Sequence, residues 1–460
     1  MSAPEGSTPD GSPREDRGAD ERARQAAEEI ARRAKANLKS LVSDDSSQLP
    51  SLGVIADAIR LELEASRQVA ILYVKLKRYG RLERIFGWGI IGEILAAIAR
   101  NLREMVGSTL RALDVLADFT LSDNAFVVIL SPPRSGKPID SDDLLMVKRR
   151  VYERLQSTLM NDLATGVYDR VHPFVGAAII HADDALTFEQ NLQRGVALAM
   201  EAAEDDAVRY DAELEATLAE LLANDDIDPL FQPIVDVRRK GVIAYHATSR
   251  GPFYSPLRLP DVLDDVARRS PLLGTYGVAA REAAVAKAVG LMPEVLLFVG
   301  CVASELPNAG IVALSEFYSL NTALVPQHVV FEISTADLTA NPASTLRTLV
   351  QLRETGFQLC FADLGGELTM LELVAQAQPD FVSLDPLLAA GVPGDPTLLD
   401  AVALLARFAA RVGAQLVAPD VTTVEQLDAL RRVGVGLVRG DLVARPDTRL
   451  PKVSLSRLGL

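Results

Sequence analysis

The stretch VVFEIST at residues 329–335, followed by FADLGG at 361–366 and FVSLD at 381–385, decides the fold of the second half of this chain. Each stretch begins with a short apolar run that predicts a buried strand. Between the runs, apolar residues recur with the spacing of a helix. The complete series is Val242–Tyr245, Val295–Val299, Val329–Ile333, Gln358–Ala362, Phe381–Leu384, Gln415–Val417 and Gly436–Val438. So many strand–helix repeats predict a TIM-type (βα)8 barrel, in which a functional site lies where the strands end.

Residues 44–205 are predicted to form a separate α/β sheet domain. Strand patterns occur at Val69–Leu76, Phe126–Leu130 and Phe174–Ile180, and amphipathic helices alternate with them. The predicted helices are Leu52–Ser66, Ile91–Val106, Ser141–Leu163 and Leu186–Glu204. The chain is therefore expected to contain two α/β units, of which the second is the barrel at 229–449.

Four further segments complete the predicted organisation. Residues 1–18 are rich in Pro, Gly, Ser and charge, which predicts a disordered tail. Residues 19–43 predict a helix with a thin apolar stripe, suited either to docking on its own domain or to a partner helix. Residues 206–228 predict an acidic helical linker, and 450–460 form a C-terminal tail.

Composition restricts the possible functions. The 460 residues include 47 Lys and Arg against 62 Asp and Glu, and the net charge of −15 repels the phosphates of nucleic acids. The two cysteines and four histidines have neither disulfide nor metal-ligand spacing. The sequence shows no signal peptide and no apolar run of the ~20 residues that span a membrane, so we expect a cytoplasmic protein without membrane insertion.

The strand ends of the second unit resemble those of the EAL domain, the barrel phosphodiesterase of bacterial cyclic di-GMP signalling. The ordered matches are FQPIVDV at 231–237, AYHATSR at 244–250, LLFVGCVASEL at 296–306, VVFEIST at 329–335, FADLGG at 361–366, PDFVSLD at 379–385, LVAPDVTTVEQL at 416–427 and LVRGDLVARP at 437–446. The resemblance implies a barrel whose strand ends hold two metal ions, which activate a water for phosphodiester hydrolysis.

Most residues that this chemistry needs are replaced. The replaced positions are His246, Gly300, Thr335, Ala362, Ser383, Pro419, Thr422 and Arg439, whereas Glu332, Asp363 and Asp385 are retained. Too few carboxylates remain to hold two divalent cations in the usual way, so the resemblance implies an inactive barrel without metal or other cofactor. The positions left for a ligand are Gln232, Arg250, Asp363, Asp385 and Arg439.

Two of these side chains have alternative interpretations. Arg439 either forms an internal salt bridge with Glu332 and Asp363, replacing the charge of a cation, or points to solvent. His246 either joins the same two carboxylates in a one-metal site or is only hydrogen-bonded. The sequence leaves both alternatives open.

The first unit resembles the GGDEF domain, the diguanylate cyclase that accompanies EAL domains. The resemblance rests on AILYVKLKRYGRLERIFGWGIIGEIL at 70–95, SDNAFVVIL at 122–130 and FVGAAII at 174–180. Its metal-binding acids fall at Lys75 and Lys77, and an ammonium group expels Mg²⁺. Its acidic pair falls at Asn124 and Ala125, so the resemblance implies a degenerate cyclase.

Two charged residues of the first unit match a further family pattern. Arg111 and Asp114 correspond to the R-x-x-D of the family's inhibitory site, a second place for cyclic di-GMP. Charged pairs with this spacing are also common on helix surfaces, so the pattern fits either a ligand site or a local ion pair.

The resemblance as a whole implies a catalytically inactive GGDEF–EAL protein that regulates bacterial signalling through protein contacts. The N-terminal helix and the barrel surface are the expected contact regions, and a homodimer is one assembly that they allow. Two alternatives stay open: a metal-independent cyclic di-GMP receptor that uses the barrel, and residual phosphodiesterase activity.

Overall fold

The computed structural model of the protein describes most of both units. The described residues are 49–76, 79–119, 125–131, 138–288, 291, 294–302, 324–334, 338, 342–365 and 369–459. The segments predicted at 1–18 and 19–43 lie outside them, as do Lys77 and Asn124. The chain divides into two compact units, residues 1–209 and 210–460. In the described part, no helix is long and apolar enough to cross a membrane.

The first unit contains a four-stranded antiparallel sheet in the order β2-β3-β1-β4. The strands are β1 Gln68–Leu76, β2 Val115–Asp118, β3 Ala125–Leu130 and β4 Pro173–His181. The helices are α1 Leu52–Ser66, α2 Tyr79–Met105, α3 Ser141–Asp162, α4 Thr165–Tyr168 and α5 Phe188–Ala223. This βαββαβ arrangement is that of ferredoxin-like folds, and the α/β sheet predicted for the unit is present.

Strand β1 is apolar on both faces because helices cover both faces of the sheet. Ala70, Leu72 and Val74 belong to the core formed with helices α2 and α3. On the opposite face, α5 passes so close to β4 that a Cβ on Gly176 would lie 1.8 Å from the carbonyl oxygen of Ala199. Glycine is therefore required at position 176 by backbone contact and not by a turn.

Helix α5 differs from the sequence prediction. The sequence predicts a closing helix that ends at Glu204 and then a helical linker at 206–228, whereas one continuous helix runs from Phe188 to Ala223. The stretch from Val196 to Ala223 is rich in Ala, Leu and Glu and contains no Gly or Pro, so nothing interrupts the helix backbone. The acidic residues that follow Glu204 therefore change the charge of the helix surface and do not end the helix.

The second unit is a closed eight-stranded barrel in the order β10-β11-β12-β5-β6-β7-β8-β9, which confirms the predicted barrel. Its strands are β5 Asp228–Asp236, β6 Gly241–Arg250, β7 Leu296–Gly300, β8 Val329–Ser334, β9 Gln358–Leu364, β10 Phe381–Leu384, β11 Gln415–Ala418 and β12 Leu437–Val438. Its α-helices are α6 Pro260–Arg269, α7 Leu273–Lys287, α8 Pro342–Glu354, α9 Thr369–Ala377, α10 Pro386–Gly391, α11 Pro396–Val412 and α12 Val424–Arg432. Short 3₁₀ turns lie at Pro326–His328 and Leu455–Leu458.

One strand departs from the all-parallel arrangement of a TIM-type barrel. β5 pairs antiparallel with both β6 and β12. Its connection to β6 is a tight turn, in which the Asp236 carboxylate accepts hydrogen bonds from the backbone N–H groups of Arg238 and Arg239. Parallel strands need a crossover of a dozen or more residues. A connection as short as this one can therefore only form a hairpin.

Candidate functional site

Interior side chains of the barrel lie in layers. The apolar layer consists of Ile234, Ala244, Phe298, Val330, Cys360, Phe381, Val417 and Leu437. Side chains alternate along a strand, so the position two residues nearer the ends of the parallel strands again faces the interior. These positions, which we call the upper ring, are Gln232, His246, Gly300, Glu332, Ala362, Ser383, Pro419 and Arg439. All of them except Gln232 line one cavity of about 260 Å³.

Glu332 is the one carboxylate of the upper ring, and His246 is its hydrogen-bond partner. The Nε2 of His246 lies 2.5 Å from Oε2 of Glu332, with the two side chains 9% and 12% exposed. Gly300 on β7, the strand between β6 and β8, carries no side chain, and a Cβ there would meet nothing within 4 Å. The imidazole therefore has room to reach the carboxylate across the intervening strand.

The pair keeps Glu332 ionised in a buried place. Burial alone would raise the pKa of Glu332, but the charge and the hydrogen bond of His246 lower it to about 2. The Arg439 charge and the Cys360 thiol, whose Sγ lies 3.9 Å from Oε1 of Glu332, act in the same direction. Burial, together with the charge of Glu332, raises the pKa of the Cys360 thiol well above its usual value. An imidazole is thus the partner that stabilises the ionised form of this buried carboxylate.

This arrangement does not fit two metal ions. Within the described ranges, no group of three or more His, Cys, Asp and Glu side chains is placed to hold a metal ion. Hard divalent cations need several oxygen ligands each, whereas the upper ring offers one carboxylate that is already paired. His246 and Glu332 are joined by a hydrogen bond, which is the contact that one of the two alternatives for His246 requires.

The ion pair that the structure shows for Arg439 differs from both alternatives given by the sequence. In the described part of the chain, the Arg439 guanidinium instead forms an ion pair with Asp420 at 3.8 Å. The backbone explains the difference, because Arg439 N–H donates to the carbonyl of Ala418 and its own carbonyl accepts from Val421. These bonds hold Arg439 beside the loop that carries Asp420, although its charge still lowers the pKa of Glu332.

Asp363 lines the cavity with an uncommon backbone conformation. Its φ is 62°, in the left-handed region that non-glycine residues seldom adopt. The hydroxyl of Ser334 donates to Oδ2 of Asp363 at 2.6 Å. Burial raises the pKa of Asp363, and the charges of Glu332 and Asp385 raise it further. Asp385 itself begins helix α10, where its carboxylate accepts a hydrogen bond from Leu387 N–H.

Gln232 and Arg250 are not placed with Asp363 and Arg439 at the cavity. The amide of Gln232 donates to the carbonyl of Ala444 at 3.1 Å. Arg250 lies opposite Asp228 in the β5–β6 register, and their side chains are 3.8 Å apart. Two of the predicted ligand positions therefore contact neighbouring protein groups outside the cavity.

Helices α6 and α7 contribute cavity residues that the sequence analysis missed. Asp264 and Arg268, one turn apart on α6, line the cavity together with Tyr276 and Arg281 of α7. The Tyr276 hydroxyl donates a hydrogen bond to the Asp264 carboxyl, and burial raises the pKa of both groups. The sequence signal that could have identified the α6 residues was the i,i+4 spacing of the oppositely charged Asp264 and Arg268 in the helix after β6. Nothing in the sequence indicated that Arg281 is only 2% exposed.

In the first unit, Arg111 and Asp114 hold a turn together. The Asp114 carboxylate accepts hydrogen bonds from Arg111 N–H at 2.7 Å, and from the N–H and hydroxyl of Ser131 at 2.7 and 2.6 Å. The Arg111 guanidinium donates to the carbonyl of Ser131. Elsewhere, Lys75 on β1 pairs with Glu204 of α5 at 3.9 Å, and Ala125 is fully buried.

Replacing Asp114 with alanine is therefore expected to lower the free energy of unfolding of the first unit by about 1–3 kcal/mol, because the part-buried N–H groups of Arg111 and Ser131 lose their acceptor. The chain's single tryptophan, Trp88, lies in α2 of this unit, so urea unfolding followed by its fluorescence measures the effect. Asp114→Asn keeps one acceptor oxygen and is expected to cost less. Unchanged stability combined with altered cyclic di-GMP binding would assign Asp114 to a ligand site instead.

Comparison with known proteins places the barrel in a family. The EAL domain model matches residues 215–446, half of the chain, so the chain belongs to the EAL domain family. The uncharacterized protein y4lL of Sinorhizobium fredii is 22% identical over 386 residues, covering 83% of this chain and 46% of that protein. The cyclic di-GMP phosphodiesterase RocR of Pseudomonas aeruginosa is 30% identical over 133 residues, covering 29% and 33%. The chain thus spans less than half the length of either relative.

Solved structures also resemble the chain. The Vibrio cholerae LapD S helix-GGDEF-EAL structure, bound to c-di-GMP, covers 89% of this chain and 98% of its own at 15% identity, with a TM-score of 0.43. The Xanthomonas citri FimX EAL domain in complex with c-diGMP covers 55% and 99% at 17% identity, with a TM-score of 0.47.

Proposed function

We propose that this EAL-family protein is a non-hydrolytic regulator that works through protein contacts and needs no metal ion. The observation that carries the proposal is the His246–Glu332 pair, at 2.5 Å in the floor of the barrel cavity. The family's hydrolytic chemistry depends on carboxylates that share cations, whereas here an imidazole satisfies the carboxylate internally. The scaffold of the family is retained and its catalytic site is replaced.

In this proposal the first unit is a degenerate GGDEF domain, within boundaries at residues 44–205. The Lys75 ammonium, paired with Glu204, occupies the position of a metal-binding acid and repels cations. The N-terminal helix at 19–43 and the barrel surface carry the protein contacts, including those of a homodimer. The remaining boundaries are a linker at 206–228 and the EAL domain at 229–449.

A second candidate function is a metal-independent cyclic di-GMP receptor. The observation in its favour is that the cavity above the upper ring is open and has Arg439 and Asp363 in its wall. RocR, which matches part of this chain, is named as a cyclic di-GMP phosphodiesterase. A residual phosphodiesterase is the third candidate, and it requires His246, Glu332 and Asp363 to hold a metal ion.

Incubation of the purified protein with cyclic di-GMP and either Mg²⁺ or Mn²⁺ tests the proposal. We expect the dinucleotide to remain intact by chromatography, because the upper ring cannot hold two cations. RocR under identical conditions serves as the positive control. Calorimetric titration with cyclic di-GMP then separates a regulator without this ligand, which gives no heat, from a receptor. Conversion to a linear dinucleotide would refute the non-hydrolytic proposal.

A further inference from the structure

The cavity above the upper ring combines three arginine side chains with carboxyl groups that have hydrogen-bond partners. Arg268, Arg281 and Arg439 reach it from α6, α7 and the end of β12. The carboxyl groups in the same wall are Asp264, Glu332 and Asp363, which accept hydrogen bonds from Tyr276, His246 and Ser334. Burial raises the pKa of Asp264 and Asp363. Three guanidinium groups therefore line one cavity of a chain whose net charge is −15.

The three guanidinium groups occupy different depths. Arg281 is 2% exposed, and its Nη1 donates to the carbonyl of Gly300 at 3.3 Å in the floor. Arg439 lies in the wall with its side chain 16% exposed. Arg268 is exposed on α6 and lines the same cavity. A buried guanidinium recognises oxyanions through paired N–H donors.

Size and shape narrow the ligand class. The cavity volume of about 260 Å³ lies below the ~300–1,000 Å³ typical of pockets for drug-sized ligands. Three guanidinium groups from three elements suit a group with three terminal oxygens better than a planar carboxylate. We propose that the cavity binds a small phosphate monoester directly through Arg268, Arg281 and Arg439. This inference rests on the proposed function only in that no metal ion mediates the contact.

Isothermal titration with ribose 5-phosphate, at low salt and with EDTA present, tests the inference. We expect saturable binding with a Kd between about 10 μM and 1 mM, and no heat from ribose, which lacks the phosphate. Arg268→Gln and Arg439→Gln are each expected to weaken binding about tenfold or more, because each removes a charge-assisted contact. Arg432→Gln, on the exposed surface of α12, is the matched control and is expected to leave the Kd unchanged.

Four results would overturn the inference: no saturable heat up to about 10 mM ribose 5-phosphate, equal heat from ribose, tighter binding of citrate, or an unchanged Kd in both cavity variants. Tighter binding of cyclic di-GMP than of ribose 5-phosphate would also overturn it, since the cavity would then serve the second candidate function. Arg268 is exposed, so its variant is expected to fold whatever the outcome at Arg439. Hydrolysis of cyclic di-GMP with Mn²⁺ would refute the proposed function alone, because the phosphate titration contains no metal.

Discussion

Replacing His246 with alanine is expected to lower the free energy of unfolding of the barrel by about 3–5 kcal/mol at pH 7, because it leaves the buried Glu332 carboxylate without its partner. The two side chains are only 9% and 12% exposed, so an unpartnered carboxylate here pays a desolvation cost. Hydrogen exchange of peptides from β6 and β8, read by mass spectrometry in urea, measures the loss for this unit alone. A loss below about 1 kcal/mol would mean that the pair contributes no more than an exposed one.

The same variant is expected to reverse the acid dependence of stability. In the native protein the pKa of Glu332 falls from its ordinary 4.5 to about 2. This shift contributes about 3 kcal/mol, which is fully present above pH 4.5 and is lost as the pH falls towards 2. Without His246, burial is the dominant influence and raises the pKa of Glu332 above its unfolded value. The stability of His246→Ala should then increase as the pH falls through that raised pKa.

Two variants separate this effect from a general loss of stability. His181→Ala removes an exposed histidine at the end of β4 and should keep the native acid dependence. The double variant His246→Ala/Glu332→Gln removes the buried charge together with its partner, so we expect it to be more stable than His246→Ala at pH 7. If the double variant were the less stable of the two, the cost would come from the vacated space and not from charge.

Much of the fold followed from local pattern. The runs at Val329–Ile333 and Phe381–Leu384 are short, apolar and flanked by helical periodicity, and both are strands within one residue of the predicted bounds. Period-two alternation then identifies which residues share the upper ring, so most of its members were recognised from the motifs that they replace. The antiparallel direction of β5 was not anticipated, because direction depends on the length of the connection and not on the strand's own residues.

The partners of the ring residues were harder to infer. An ion pair of Arg439 with Glu332 and Asp363 was one of two alternatives, but its backbone bonds to Ala418 and Val421 hold it beside Asp420. Gln232 donates to the carbonyl of Ala444, which lies far along the chain and leaves no side-chain signal. Arg281 is in an ordinary helical stretch, and only tertiary packing buries it. Motif spacing therefore gives the position of a side chain, while its contacts depend on loops and helices distant in sequence.

Replacing Gly176 with alanine is expected to destabilise the first unit by at least about 3 kcal/mol, at the upper end of the effects of overpacking. The added Cβ would lie 1.8 Å from the carbonyl oxygen of Ala199 and 2.6 Å from the amide nitrogen of Ala203. Both are backbone atoms of α5, so no rotamer change relieves the contact, and the helix must move away from β4. Urea unfolding followed by Trp88 fluorescence measures the loss.

Gly92→Ala provides a matched control, since it makes the same chemical change in the same unit. Gly92 lies within α2, where a Cβ would meet nothing within 4 Å. Alanine favours the helix over glycine, so this variant is expected to stabilise the unit by up to about 1 kcal/mol. The two substitutions should therefore have opposite signs, because one meets a helix backbone and the other meets open space. Equal destabilisation by both would mean that β4 and α5 are not as close as the structure shows.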